Sequence, residues 1–80
     1  KNGFGMSVAA NRFTGVRCGM AFDEEAVRRG RTDDDINCLS VPALYIDEVS
    51  VEKMIKIFLE EKFSGEEKYK RRINKLDNLI

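Results

Sequence analysis

Two short apolar runs read as strands: Val16-Arg17-Cys18-Gly19-Met20-Ala21-Phe22 and Asn37-Cys38-Leu39-Ser40-Val41. In the first, Val16, Cys18, Met20 and Phe22 fall on one side and Arg17, Gly19 and Ala21 on the other, with Arg17 the sole charge. A strand that is apolar on both faces belongs in a sheet covered by helices on both sides. Pro42 stops the second run, because proline cannot donate to a ladder. Helical patterns alternate with these strands, which implies parallel neighbours joined by right-handed crossovers. Two strands are too few for a stable parallel sheet. The pattern therefore predicts part of a larger α/β sheet, completed by an N-terminal half in the same polypeptide or in another chain.

The helices are delimited by their caps. Gly3 and Gly5 lead into a short helix over Met6–Arg12, and Gly15 ends the element. Asp23 is an N-cap, with Glu24 and Glu25 in the first turn, where the macrodipole favours acids; this helix is expected to run to about Arg29 and leave through Gly30. A third helix spans Ser50–Lys62, with Val51, Met54, Ile55, Phe58 and Leu59 forming one apolar stripe. Ser64 and Glu67 fit a capping box for a last helix, on which Tyr69, Ile73, Leu76 and Ile80 share a face.

With 80 residues the chain is one domain unit, 1–80. A chain this short buries only roughly 60 % of its unfolded surface, so its core is marginal. Basic and acidic residues balance, 14 against 14, which argues against whole-protein attraction to nucleic acid or an anionic membrane. No apolar run approaches the ~20 residues of a membrane span, and no signal-peptide pattern is present. Cys18 and Cys38 lack metal-ligand spacing and there is no histidine, which argues against a zinc site and removes the commonest general base. The two cysteines are expected to be buried, unreactive thiols in a reducing compartment, the cytoplasm.

Three stretches, taken in order, resemble a family. "NGFGMSVAANRFTGVR" is similar to a Gly-x-Gly-x-Gly loop followed by a small-residue helix, Ala-Asn-Lys/Arg and Gly-Ile/Val-Arg. "RRGRTDDDINCLSV" is similar to Ser-Arg-x-His-Asn-x-x-Asn-Val-Leu, and "FSGEEKYKRRI" to a Phe/Tyr-x-Gly-basic-cluster-Arg-Ile/Val terminus. These are the patterns of the type B ribose-5-phosphate isomerases and the galactose-6-phosphate isomerase subunits. The resemblance implies a Rossmann-like three-layer α/β/α fold with a parallel sheet, of which this chain is the C-terminal half. It also implies a cytoplasmic enzyme of the pentose phosphate pathway type, a homodimer or higher homo-oligomer with sites shared between subunits. Such an enzyme interconverts phosphorylated aldoses and ketoses through an enediolate, with no metal and no cofactor.

The same resemblance assigns roles. Asn2, Gly3, Phe4 and Gly5 correspond to the loop whose backbone amides stabilise the enediolate oxygen, a task suited to a glycine turn at a helix N-terminus; by residue type alone the stretch reads more readily as a plain strand-to-helix turn. The family's usual base, a cysteine, falls just upstream of Lys1, and other members carry a glutamate where this chain has Met6, whose thioether cannot take a proton. Asp33 stands where the family has a histidine for sugar ring opening, Asp34 where it has an asparagine contacting substrate hydroxyls, and Asn37 at its second asparagine. The acids Asp33–Asp35 would repel a phosphate unless Arg31 or a basic partner surface offsets them; the bland alternative is an acidic loop ending a helix. Lys68, Arg71 and Arg72 correspond to phosphate-binding positions, Arg72 aligning best and Arg71 the fallback if the register slips by one, while Lys70 and Lys75 read as a solvated helix face. Arg17 reads as structural, pairing an acid at the strand edge. The departures at Asp33 and Asp34 leave a second function open: a catalytically degenerate sugar-phosphate-binding or scaffolding subunit of the same fold. Binding of nucleic acid by the basic last helix is disfavoured.

Overall fold

The computed structural model describes residues 2–79. The order is α1 (Phe4–Ala10), β1 (Cys18–Met20), α2 (Glu24–Asp34), β2 (Cys38–Ser40), α3 (Glu48–Glu60) and α4 (Glu67–Asp77). The strands pair in parallel, Cys18 opposite Cys38, Gly19 opposite Leu39 and Met20 opposite Ser40. The backbone pairing continues past both ends, from the Asn37 N–H to the Arg17 carbonyl at 2.9 Å and from the Ala21 N–H to the Ser40 carbonyl at 3.1 Å.

Alternation sorts the strand residues onto two faces. Cys18, Met20, Cys38 and Ser40 lie under α1, which packs on both strands. The other face meets α2 and α3. There Met54 and Val27 are fully enclosed with Ala21, and Leu39, Val41, Ile57 and Phe58 pack around them. Helix, sheet and helix form three layers of the Rossmann-like kind. Among the described residues no helix is long and apolar enough to cross a membrane.

Several boundaries differ from the sequence pattern, each for a local reason. Helix α1 begins at Phe4 rather than Met6, because Gly3, at φ 87°, turns the chain directly into it. Helix α2 runs through Gly30 to Asp34 and ends on Asp35 in a left-handed conformation, φ 47°. Gly30 is in the helix to admit Ile36, which folds back so closely that a Cβ at Gly30 would lie 2.9 Å from Ile36 Cδ1. Helix α3 starts two residues before Ser50, because Asp47 caps it, accepting the Ser50 N–H at 2.8 Å. Its buried stripe is Met54 with Ile57 and Phe58, whereas Ile55 and Leu59 face outward. The capping box at Ser64 is not formed. Glu66 is the N-cap of α4, and the Ser64 N–H is drawn to the Thr32 carbonyl at 3.0 Å. Ile80, assigned to the last helix face, lies outside the described residues, as does Lys1.

Candidate functional site

The expected site residues collect at opposite ends of the sheet. The glycine loop lies at the strand ends. The Ser40 hydroxyl donates to the Gly3 carbonyl at 2.9 Å, and a Cβ on Gly3 would meet Met20 Sδ at 2.8 Å. Met20 and Ser40 are the last residues of β1 and β2. With its left-handed φ and this close approach, Gly3 has no tolerated substitute.

Within the loop the amides are unequally engaged. The Phe4 N–H donates to Asn2 Oδ1 at 3.1 Å, so Asn2 caps the first amide of α1. The Ser7 N–H is the first to bond back into the turn, to the Gly3 carbonyl. That leaves the Gly5 and Met6 amides without an intrahelical acceptor, which is the ordinary condition of a first helical turn. Phe4 and Met6 side chains are exposed, at 58 % and 74 %.

Asp33, Asp34 and Asn37 lie at the strand starts, where α2 hands over to β2. Asp33 accepts from the Thr32 hydroxyl at 3.0 Å and faces Arg29 at 3.6 Å. Asp34 is exposed and borders a cleft of about 500 Å³, otherwise walled chiefly by Val16, Cys18, Ile36, Leu76 and Leu79. Asn37 is occupied as a bridge between loops: its Oδ1 accepts the Arg17 N–H at 2.8 Å and its Nδ2 donates to the Gly15 carbonyl at 2.8 Å. Asn37 thus holds the two strand entries together.

Two arginines bind this end of the fold. Arg17 donates to Asp77 at 3.0 Å, to Asp35 Oδ2 at 3.2 Å and to the Asp35 carbonyl at 2.9 Å. It ties β1 to the end of α2 and the end of α4, the structural pairing its position predicts. Arg31 meets the acidic run at Asp35, its Nη1 3.9 Å from Oδ1. Its guanidinium turns inward over the Phe58 ring, 5.2 Å from the centroid, and donates to the Glu61 and Ile36 carbonyls. Arg29 on Asp33 and Arg17 on Asp35 complete the relief of the acids.

Helix α4 crosses the same edge. It is tethered just before its start by Ser64 to Thr32 and at its end by Asp77 to Arg17. Lys68, Arg71 and Arg72 are all exposed on it. Lys68 Nζ and Arg72 Cζ lie 5.0 and 5.7 Å from the centre of the Tyr69 ring, which spaces the two cations on one helix surface. The three are absent from the walls of the cleft.

Cys18 and Cys38 are half-buried rather than core residues. They face α1, a helix of seven residues. Burial raises the Cys18 pKa, the Cys38 sulfur adds to the rise, and the Ser7 hydroxyl, 3.9 Å away, opposes it. Asn11 was carried in the sequence only as part of a motif. Its side chain brackets Cys18, accepting its N–H at 2.7 Å and donating to its carbonyl at 2.9 Å. An asparagine closing a helix before a strand was the available signal.

Residues 1–76 match the family described as Ribose/Galactose Isomerase. A Bacillus subtilis protein provisionally named sugar phosphate isomerase YwlF is 32 % identical over 76 residues, covering 95 % of this chain and 50 % of that protein. The type B ribose 5-phosphate isomerase of Trypanosoma cruzi superposes with TM-score 0.93 and 36 % identity, over 95 % of this chain and 51 % of that one. A Thermotoga maritima ribose 5-phosphate isomerase gives TM-score 0.93 at 32 % identity, over 98 % of this chain and 53 % of that one. The chain thus spans about half the length of the relatives it matches. The family match over nearly the whole chain and the shared three-layer fold lead to one conclusion: this chain belongs to the ribose/galactose isomerase family.

Proposed function

We propose that the intact protein is a sugar-phosphate aldose–ketose isomerase acting through an enediolate, with residues 1–80 as the C-terminal half of its α/β domain. It works in the cytoplasm as a homodimer or higher homo-oligomer and needs neither metal nor cofactor. The observation that carries this reading is the separation of the two functional groups. The glycine loop lies against the strand ends through Ser40 and Met20, and the acids and the basic helix lie at the strand starts. A single copy cannot bring both to one small sugar phosphate, whereas two copies related by a two-fold axis can.

In this mechanism Asp33 assists opening of the sugar ring. A base then takes the C2 proton of the open aldose, and the electron pair moves to make the C1–C2 double bond and a negative O1. That oxygen faces the Gly5 and Met6 amides, positioned by Gly3 and by the Asn2–Phe4 cap. Return of the abstracted proton to C1 and transfer of the O2 proton to O1, as the C2–O2 double bond forms, give the ketose. The base is the cysteine the resemblance puts upstream of the loop. Arg72, with Lys68 and Arg71 beside it, holds the phosphate from the second copy as paired and point charges. Asp34 and Asn37 are assigned to the hydroxyls, Asn37 through the strand entry it fixes.

The test is turnover of pentose and hexose phosphates by the intact protein. Isomerisation of one of them, with Arg72→Ala raising KM more than it lowers kcat, supports the reading. A folded protein silent across the panel contradicts it. A specific observation favours a second reading: Asp33 is already engaged by Thr32 and Arg29, and the exposed Met6 is no base. A catalytically degenerate sugar-phosphate-binding or scaffolding subunit would show thermal stabilisation by a sugar phosphate without turnover.

A further inference from the structure

We propose that Cys18 and Cys38 form a redox-linked dithiol pair beneath α1, able to close into a disulfide that shifts that helix and the glycine loop it carries. The formation of the link stands on geometry alone; its effect on catalysis rests on the proposed isomerase function.

The two residues are direct partners in the parallel ladder. Partners in adjacent strands stand ~4.8 Å apart at Cα and project from the same face, which lies inside the ~4.4–6.8 Å range that a disulfide spans. Both are free and half-buried on the face that, among the described residues, helix α1 covers.

Cys18 is also where α1 is fastened. Asn11 grips its N–H and its carbonyl, and the Ser7 hydroxyl approaches its sulfur at 3.9 Å. The other end of the helix is fastened by Ser40 to Gly3, two residues beyond Cys38. Rotating the Cys18 sulfur toward Cys38 removes the Ser7 contact and moves the point to which Asn11 is bonded. The helix carries that displacement to Gly5 and Met6, whose amides need placement to well under an ångström.

The reaction balances with a small-molecule disulfide as oxidant. A thiolate of the pair attacks oxidised glutathione, giving a mixed disulfide and one reduced glutathione. The second thiolate attacks the mixed disulfide and expels the other glutathione. Two protein thiols are oxidised, one disulfide is reduced, and the two thiol protons end on the two glutathiones.

The experiment treats the reduced, intact protein with oxidised glutathione, traps free thiols with an alkylating agent and maps peptides by mass. The expected result is joint loss of the Cys18 and Cys38 thiols into one cross-linked peptide pair, reversed by dithiothreitol. Cys38→Ala and Cys18→Ala each abolish the cross-link; melting curves check that both variants fold. Independent alkylation of the two thiols, separate glutathione adducts or complete inertness in the folded protein overturns the pair. In parallel, oxidation is expected to lower wild-type sugar-phosphate turnover by roughly tenfold or more beyond the loss seen in either alanine variant, which reports the upstream cysteine alone. A cross-link with unchanged turnover in an active enzyme overturns the coupling to the loop, while a cross-link in a protein with no turnover under any condition counts against the isomerase reading alone.

Discussion

Arg17 decides how the strand-start end of the molecule is assembled. One guanidinium satisfies Asp35, Asp77 and a carbonyl, and it is only 20 % exposed. Replacing it with methionine leaves Asp77 without the cation that binds it and Asp35 with the longer Arg31 pairing at 3.9 Å. Arg17→Met is expected to destabilise by about 1–2 kcal/mol, and Arg17→Lys to recover only part of that, because a lysine lacks the fork that spans both acids; urea unfolding of the variants checks this. At the other end, Gly3→Ala combines a left-handed φ with a collision against Met20 and Ser40. It is expected to cost about 1–3 kcal/mol and to abolish turnover, measurable by thermal melting and assay. Asp47 supplies a pH dependence. Its carboxylate accepts two hydrogen bonds from Ser50, which hold its pKa below the usual carboxylate value. A group depressed in the folded state stabilises above its unfolded pKa and loses that contribution as pH falls through the folded one. Wild type is therefore expected to lose more stability than Asp47→Ala on acidification below about pH 4, in melting curves run in parallel. Of these residues Arg17 was legible, through its place in a motif, but its partner Asp77 was not: nothing local marks a contact spanning 60 positions.

At the scale of elements, caps and apolar periodicity placed all four helices and both strands, because those signals are local. Asp23 was legible as an N-cap and accepts the Ala26 N–H at 2.8 Å. Asp23→Ala is expected to lower stability by about 1 kcal/mol, readable as a reduced unfolding midpoint at unchanged m-value. The boundaries that differed depended on partners far along the chain. Gly30 reads as a stop, yet Ile36 folds over it and the helix continues. Ser64 reads as a cap, yet its N–H is held by Thr32 on another helix. On α3 the periodic stripe included Ile55 and Leu59; packing against Val27 and Ala21 kept its Met54 and Phe58 and took Ile57 in place of those two. A helix has several apolar faces in its sequence, and only its neighbours choose which is buried.

The whole molecule is a small core surrounded by unspent apolar surface. Val27 and Met54 are enclosed, while Phe4, Met6 and Val8 on α1 remain more than half exposed. The incomplete sheet was legible from two strands without polar faces. What the sequence left illegible was the arrangement of the candidate site, since three motifs in order along the chain do not reveal that the first lies across the sheet from the other two. That separation makes the central claim open to a complementation measurement. Gly5→Val and Arg72→Ala are prepared in the intact protein, each nearly silent alone when assayed at substrate well below the raised KM of Arg72→Ala, then mixed under conditions that let subunits exchange. If the loop of one copy works with the helix of another, mixed dimers contain one unaltered site, and turnover is predicted to recover to roughly a quarter of the wild-type rate. If both groups serve a single copy, every site keeps a defect, and a mixture as inactive as its components contradicts the account.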